Sequence, residues 1–271
     1  QAATKAEQAA TKAEQAAPSQ GPTAKDKASD SAANTPEVVR PASVPLQRSG
    51  TAFGGTSLLL PEMAITFARG LVIQAWVRPT SWLEDARIVE LCGPAGSARI
   101  ALLTTKDGRV ELRWHDISGK QSSARTRGSL ETGKWTHISA ALIAGFVRFF
   151  IDGDEVPGTD LPAAPALPFV VSRTLNFIGE SADKGVPTFS GAIADVRLWN
   201  RYDALDAIVA RSMTQLRGDE AGLCGWWTLE GSSGTVDSSP FGRHARRVGG
   251  QWKAGESTFE QAPLQDNWAL D

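Results

Sequence analysis

Little in this sequence is spaced for covalent or acid–base chemistry. Its three histidines, His115, His137 and His244, are far apart along the chain, and no serine or cysteine sits in a strand–turn–helix elbow that would expose a nucleophile. No glycine-rich loop follows a strand to cradle phosphate. Hydrolysis of a glycosidic bond needs two carboxyl groups facing one sugar. Glu84, Asp85 and Glu90 come nearest, but Glu84 and Asp85 are adjacent and would point to opposite faces of a strand, so all three read as loop charges. Cys92 and Cys224 are the two cysteines, too few for a zinc site or a disulfide scaffold and without C-x-x-C spacing. Two states stay open for them: buried reduced thiols, or one bridge if the fold brings their strands together. No enzyme is expected.

Recognition has better candidates. Trp82 lies between Thr80-Ser81 and Leu83-Glu84 in an expected loop, where its ring could stack on a pyranose or pack over the end of the domain. Arg243, Arg246 and Arg247, with His244 among them, form a basic cluster that suits an acidic or sulfated glycan or is simply a solvated face. The formal net charge is -2, from 28 basic and 30 acidic residues, so nothing draws the chain to nucleic acid or to an anionic membrane surface. Apolar runs such as 71–77 and 140–150 are short and interrupted, far from the roughly 20 apolar residues of a spanning helix. Gln1 in place of an initiator methionine suggests a processed product or a piece of a longer protein, and any secretion signal is expected to be already removed or never present.

The elements that must position these side chains are strands. Residues 1–17 repeat a heptad, with Ala2, Ala6, Ala9, Ala13 and Ala16 at alternating fours and threes. They read as the end of a coiled-coil stalk, able to join copies into an oligomer or larger assembly, or as a low-complexity linker. Residues 18–47 are rich in Pro, Ser, Ala, Lys and Asp, and read as a disordered linker, since nothing there offsets the entropy of ordering. Every tryptophan and phenylalanine falls in 48–271, which reads as the folded domain.

Period-two alternation recurs through that domain. Leu71 to Arg78 carries apolar groups on both faces, and Pro79 ends it. Asp107-Gly108 and Asp152-Gly153 read as hairpin turns in which Asp and Gly both supply positive φ angles. Further strands are expected at 99–105, 110–115, 135–142, 147–151, 174–178, 192–199 and 224–229. One helix is expected over 203–213, capped by Asp203, with Leu205, Ile208 and Val209 on its buried face. Many short strands without alternating helices make an antiparallel β-sandwich.

Four ordered stretches then resemble a known family. They are Leu71 to Pro79; Gly133-Lys134-Trp135-Thr136-His137-Ile138; Val147 to Gly153; and Phe189 to Arg201. Together they are similar to the laminin G-like jelly-roll domains, which include the pentraxins, and the resemblance covers about Phe53 to Arg217. It implies an all-β jelly roll, with His137 packed in a structural strand. Gly222 to Gly231, with the Asp237 and Gly242 to Ala245 loop, resembles the segment that usually opens such a domain. Here it comes last, either adding a strand to the same sandwich, which the short remainder favours, or starting a second repeat.

The resemblance also implies, as expectations, calcium at a loop rim with Asp116 and Asp183 as ligands, although Ala194 stands where the family often has an acid. Glycoside hydrolases share the fold, commonly with a Glu-x-Asp-x-x-Glu strand, and this chain lacks that spacing. The expected role is a non-catalytic module for carbohydrate or glycoprotein, extracellular or at a cell surface. A structural head of a fibre or assembly, and an accessory domain of a secreted enzyme, are the alternatives.

Overall fold

A computed structural model describes residues 47–260, apart from 95–96, 117, 144–145, 160–171, 203, 213, 231–233 and 250–253. The heptad segment 1–17 and the linker to residue 46 lie outside the described residues. The chain runs β1 (Gln47–Phe53), β2 (Thr56–Leu60), β3 (Met63–Ala64), β4 (Leu71–Pro79), β5 (Ala86–Cys92), β6 (Ile100–Thr104) and β7 (Val110–His115). It continues through β8 (Gln121–Arg125), β9 (Thr136–Ile143), β10 (Phe146–Ile151), β11 (Asp154–Val156), β12 (Ser172–Arg173), β13 (Leu175–Ile178) and β14 (Gly191–Trp199). Helix α1 (Leu205–Ala210) precedes β15 (Leu223–Trp227), β16 (Arg246–Gly249) and β17 (Ala254–Glu260).

These strands form an antiparallel jelly-roll sandwich. One sheet has the order β11-β10-β9-β4-β14-β1-β17, with β15 also on β14; the other has the order β16-β2-β13-β5-β6-β7-β8. Between them lies a core that includes Ile73, Val77, Leu91, Leu102, Leu112, Trp114, Ile138 and Ile193. Because strand side chains alternate, β4 turns Leu71, Ile73, Ala75 and Val77 to this core and Val72 to a second one. There α1 covers the outside of the larger sheet with Leu205, Ile208 and Val209, against Trp199 and Trp226. Gln74, also buried, is satisfied: it accepts from Trp199 Nε1 at 2.9 Å and donates to Ser139 and the Ile208 carbonyl.

The glycine-rich C-terminal segment supplies β15 to the same sandwich. It takes over the edge of β14 where β1 leaves it: Ile193 pairs with Thr51, and Val196 with Trp227. Asp237 then ties its loop back to this strand. Its carboxylate accepts the amides of Trp226, Ser239 and Arg243, and its own amide donates to His244 Nδ1.

Three expectations need correction. At Asp152-Gly153 both residues have positive φ, 53° and 94°, as a two-residue hairpin requires. At the other turn only Gly108 does, at 78°, because five residues separate β6 from β7 and Asp107 is instead held by the Thr105 hydroxyl. The helix is shorter than 203–213; its N-cap is Ala204, which has no side-chain cap, and Asp203 and Met213 lie outside the described residues. Finally, Glu90 is no loop charge but a wholly buried residue of β5.

The cysteines are free thiols, Cys92 on β5 in one sheet and Cys224 on β15 in the other. Burial, reinforced by the Glu90 carboxylate, pushes the Cys92 thiol up to about 12, and burial pushes Cys224 up to about 11. Neither forms thiolate at pH 8. A disulfide-exchange reagent at that pH is expected to titrate no thiol in the folded protein and two in denaturant; none in denaturant would mean a bridge.

Candidate functional site

The outward face of the smaller sheet carries charge where its inward face carries core. In β7, Val110, Leu112 and Trp114 face inward, so Glu111, Arg113 and His115 face out, opposite Arg125, Ser123 and Gln121 of β8. Register places Ala101 and Leu103 of β6 beside this row, and Glu90 of β5 beside Ala101. Both β6 residues are fully buried, beneath the charged groups that flank them.

Those groups interlock. Glu90 accepts Arg87 Nε at 2.8 Å and, from a segment far along the chain, the Ser181 hydroxyl and the Ala182 amide at 2.7 Å. Arg99 approaches Glu90 at 3.8 Å and grips Asp183 through both terminal nitrogens. Arg113 bridges Asp85 and Glu111, each at 2.8 Å, and Arg125 lies 3.8 Å from Glu111. Four guanidiniums thus meet four carboxylates, and each carboxylate has an arginine partner.

This pairing governs protonation. Arg99 holds the Asp183 carboxyl below the ordinary carboxylate range. Burial works to raise Asp85, but Arg113 and Arg87 outweigh it and the net direction is down. Burial, aided by the cations Arg99 and Arg113, lowers His115, which therefore presents a neutral imidazole with one donor and one acceptor. A retaining or inverting hydrolase needs one carboxylic acid kept protonated beside a free carboxylate. Here each carboxylate is instead paired with an arginine. At the surface the network continues as a row of polar groups, with Gln121 and Arg125 exposed and His115, Arg113 and Ser123 half-buried.

Trp82 stands at the rim of this surface, in the β4–β5 loop that also delivers Asp85. Half-buried, it packs over the β6–β7 turn, where a Cβ on Gly108 would lie 2.9 Å from its Cε2. Glu84 of the same loop accepts the Lys106 amide.

The other expected residues are dispersed. Asp116 and Asp183 both act electrostatically on His115, so the fold brings them to one region. Asp116, however, is turned into its own loop, accepting the Ser118 hydroxyl and the Ser118 and Lys120 amides. Calcium takes six to eight oxygens. Asp183 is already answered by Arg99, and among the described residues no three acidic, histidine or cysteine side chains gather as a metal site. Asp116 and Asp183, as they are placed, do not fit the ion.

The basic cluster also divides. The Arg243 guanidinium donates to the Cys224 carbonyl and lies 4.1 Å from the Phe241 ring, while its carbonyl accepts Trp227 Nε1. Arg246 and Arg247 are exposed on β16, but as successive strand residues they face opposite ways. β16 is four strands from β6, or roughly 19 Å across the sheet. The cluster and Trp82 are separate surfaces.

Sequence reading missed the arginines. The signal available was the β7 alternation, where Glu111, Arg113 and His115 occupy every second position against Val110, Leu112 and Trp114.

A laminin G family profile, described as the concanavalin A-like lectin/glucanases superfamily, matches residues 53–207. The chain is similar to adhesion G-protein coupled receptor V1 of Danio rerio, 26% identical over 156 residues, which are 56% of this chain and 2% of the receptor. Among solved structures it is similar to a candidate carbohydrate-binding protein of Bacteroides ovatus, with a TM-score of 0.58 at 19% identity. That match covers 79% of this chain and 62% of the other. The likeness is one of fold.

Proposed function

The chain belongs to the concanavalin A-like lectin/glucanases superfamily, and from that premise we propose that it is a non-catalytic recognition module for carbohydrate or glycoprotein at an extracellular or cell surface. The observation that carries this is the arginine–carboxylate network on the smaller sheet. It holds planar donors and acceptors in place before a ligand arrives, so little side-chain entropy is lost when hydroxyl groups bind. Trp82, beside it, offers the apolar partner for a sugar ring. The same pairing leaves no carboxyl group of the network free for acid catalysis.

A glycan array probed with the full chain, in calcium and in chelator, is expected to return the same binders in both arms. Trp82→Ala and Arg125→Ala should each weaken at least one class of these binders at least tenfold, a change of about 1.4 kcal/mol. An array without binders in either arm overturns the proposal.

A further inference from the structure

We propose that the cleft between α1 and the β9–β10 hairpin is a second saccharide site, selective for a neutral pyranose. It lies on the larger sheet and shares no residue with the network above. Its volume is about 510 Å³, with Ile143 and Leu205 among the lining residues and the rings of Phe146 and Tyr202 on its walls. Such a volume sits within the roughly 300–1,000 Å³ of small-ligand pockets.

Phe146 is 49% exposed and Tyr202 40%. Exposed aromatic rings are costly to leave in water, and these two line one cleft. Tyr202 is held by the backbone, since a Cβ on Gly70 would come within 2.7 Å of its ring, and the left-handed φ of Gly70, 92°, keeps that space open. The Tyr202 ring is therefore offered by an anchored position.

Polar groups complete the cleft and set its charge. Arg148 is fixed by both Glu155 oxygens, at 2.8 and 2.6 Å, and Asp206 adds a second carboxylate whose field reaches Arg148. Among the lining residues one guanidinium, Arg148, is matched by one carboxylate, Asp206, and Glu155 outside the lining already holds that guanidinium, so the lining offers no spare cation. Apolar ring faces beside fixed hydrogen-bonding groups match a pyranose, with its C–H face and hydroxyl rim. With the lining arginine already held by Glu155, a sialylated or sulfated sugar would meet no spare cation there and must lose its hydration uncompensated. A protein partner would need a patch of about 20–30 residues, far beyond this cleft.

The test is an immobilised panel of neutral gluco-, galacto-, manno- and N-acetylglucosamine oligosaccharides, beside sialylated and sulfated glycans. Three forms of the full chain are compared: unaltered, Phe146→Ala with Tyr202→Ala, and Trp82→Ala with Arg125→Ala. Neutral glycans should be bound by the first and third and lost at least tenfold by the second. Phe146→Leu with Tyr202→Leu, which keeps apolar bulk without flat rings, should lose them equally, and an unchanged melting temperature separates this from unfolding. Loss only in the Trp82/Arg125 form overturns the second site while leaving the first. Loss in both forms, no neutral binder, or cleft-dependent binding of acidic glycans also overturns it.

Discussion

Arg197→Met is expected to cost the fold about 3–5 kcal/mol, the range for a buried ion pair that loses one partner. Arg197 and Asp195 are 0% and 1% exposed, and the arginine holds both carboxylate oxygens at 3.0 and 2.6 Å. It also donates to the Arg211 and Thr214 carbonyls, tying the chain after α1 to the larger sheet. Trp226 Nε1 donates to the same carboxylate at 2.6 Å. Truncating the arginine leaves the buried carboxylate with Trp226 but without its counter-charge, and takes a donor from the Thr214 carbonyl. For a domain of this size the melting temperature should fall by roughly 6–20 °C. Asp195 sits where β14 passes from β1 to β15, at a left-handed φ of 49° that Asn tolerates, so Asp195→Asn with Arg197→Met should lose less than the two single losses added. Urea unfolding followed by tryptophan fluorescence measures both; a single-variant loss below 1 kcal/mol would contradict the assignment.

Glu90→Ala should be comparably severe, about 3–5 kcal/mol, because Arg87, 3% exposed, would lose its closest carboxylate. Glu90→Gln keeps an acceptor for the Ala182 amide and should cost less, about 1–3 kcal/mol. The order matters more than the values. Glu90 is also what fastens the 181–183 segment across the sheet, so in the alanine variant the Ala182 amide should exchange with solvent faster and the array signal of the smaller sheet should fall. If Gln proves as damaging as Ala, or Ala182 exchange is unaltered, the network is not held through Glu90.

How far these residues could be read in advance depends on the range of their contacts. Alternation in Leu71 to Arg78 and Val110 to His115, and the Asp152-Gly153 turn, report the pleat of a strand and the φ demands of a two-residue loop, both local properties. Helix α1 showed its apolar face but not its ends, because a six-residue helix without a side-chain cap is held by packing on Trp199 and Trp226 instead. β8, Gln121–Arg125, has only Ala124 turned to the core and owes its existence to pairing with β7.

The sequence alone determined the strands over 71–78, 99–105, 110–115, 135–142, 147–151, 174–178, 192–199 and 224–229 and, through four ordered motifs, the jelly roll, because hydrophobic period and turn chemistry act over a few residues; strands such as β1, β2, β5 and β8 were decided by their partners. The partners of each charge were decided only by tertiary structure. Arg99 meets Asp183 across 84 positions, and Glu90 meets Ala182 across 92, contacts set by sheet order and crossover rather than by any local pattern. That is why Glu90 read as a loop charge and proved to be the buried centre of the network.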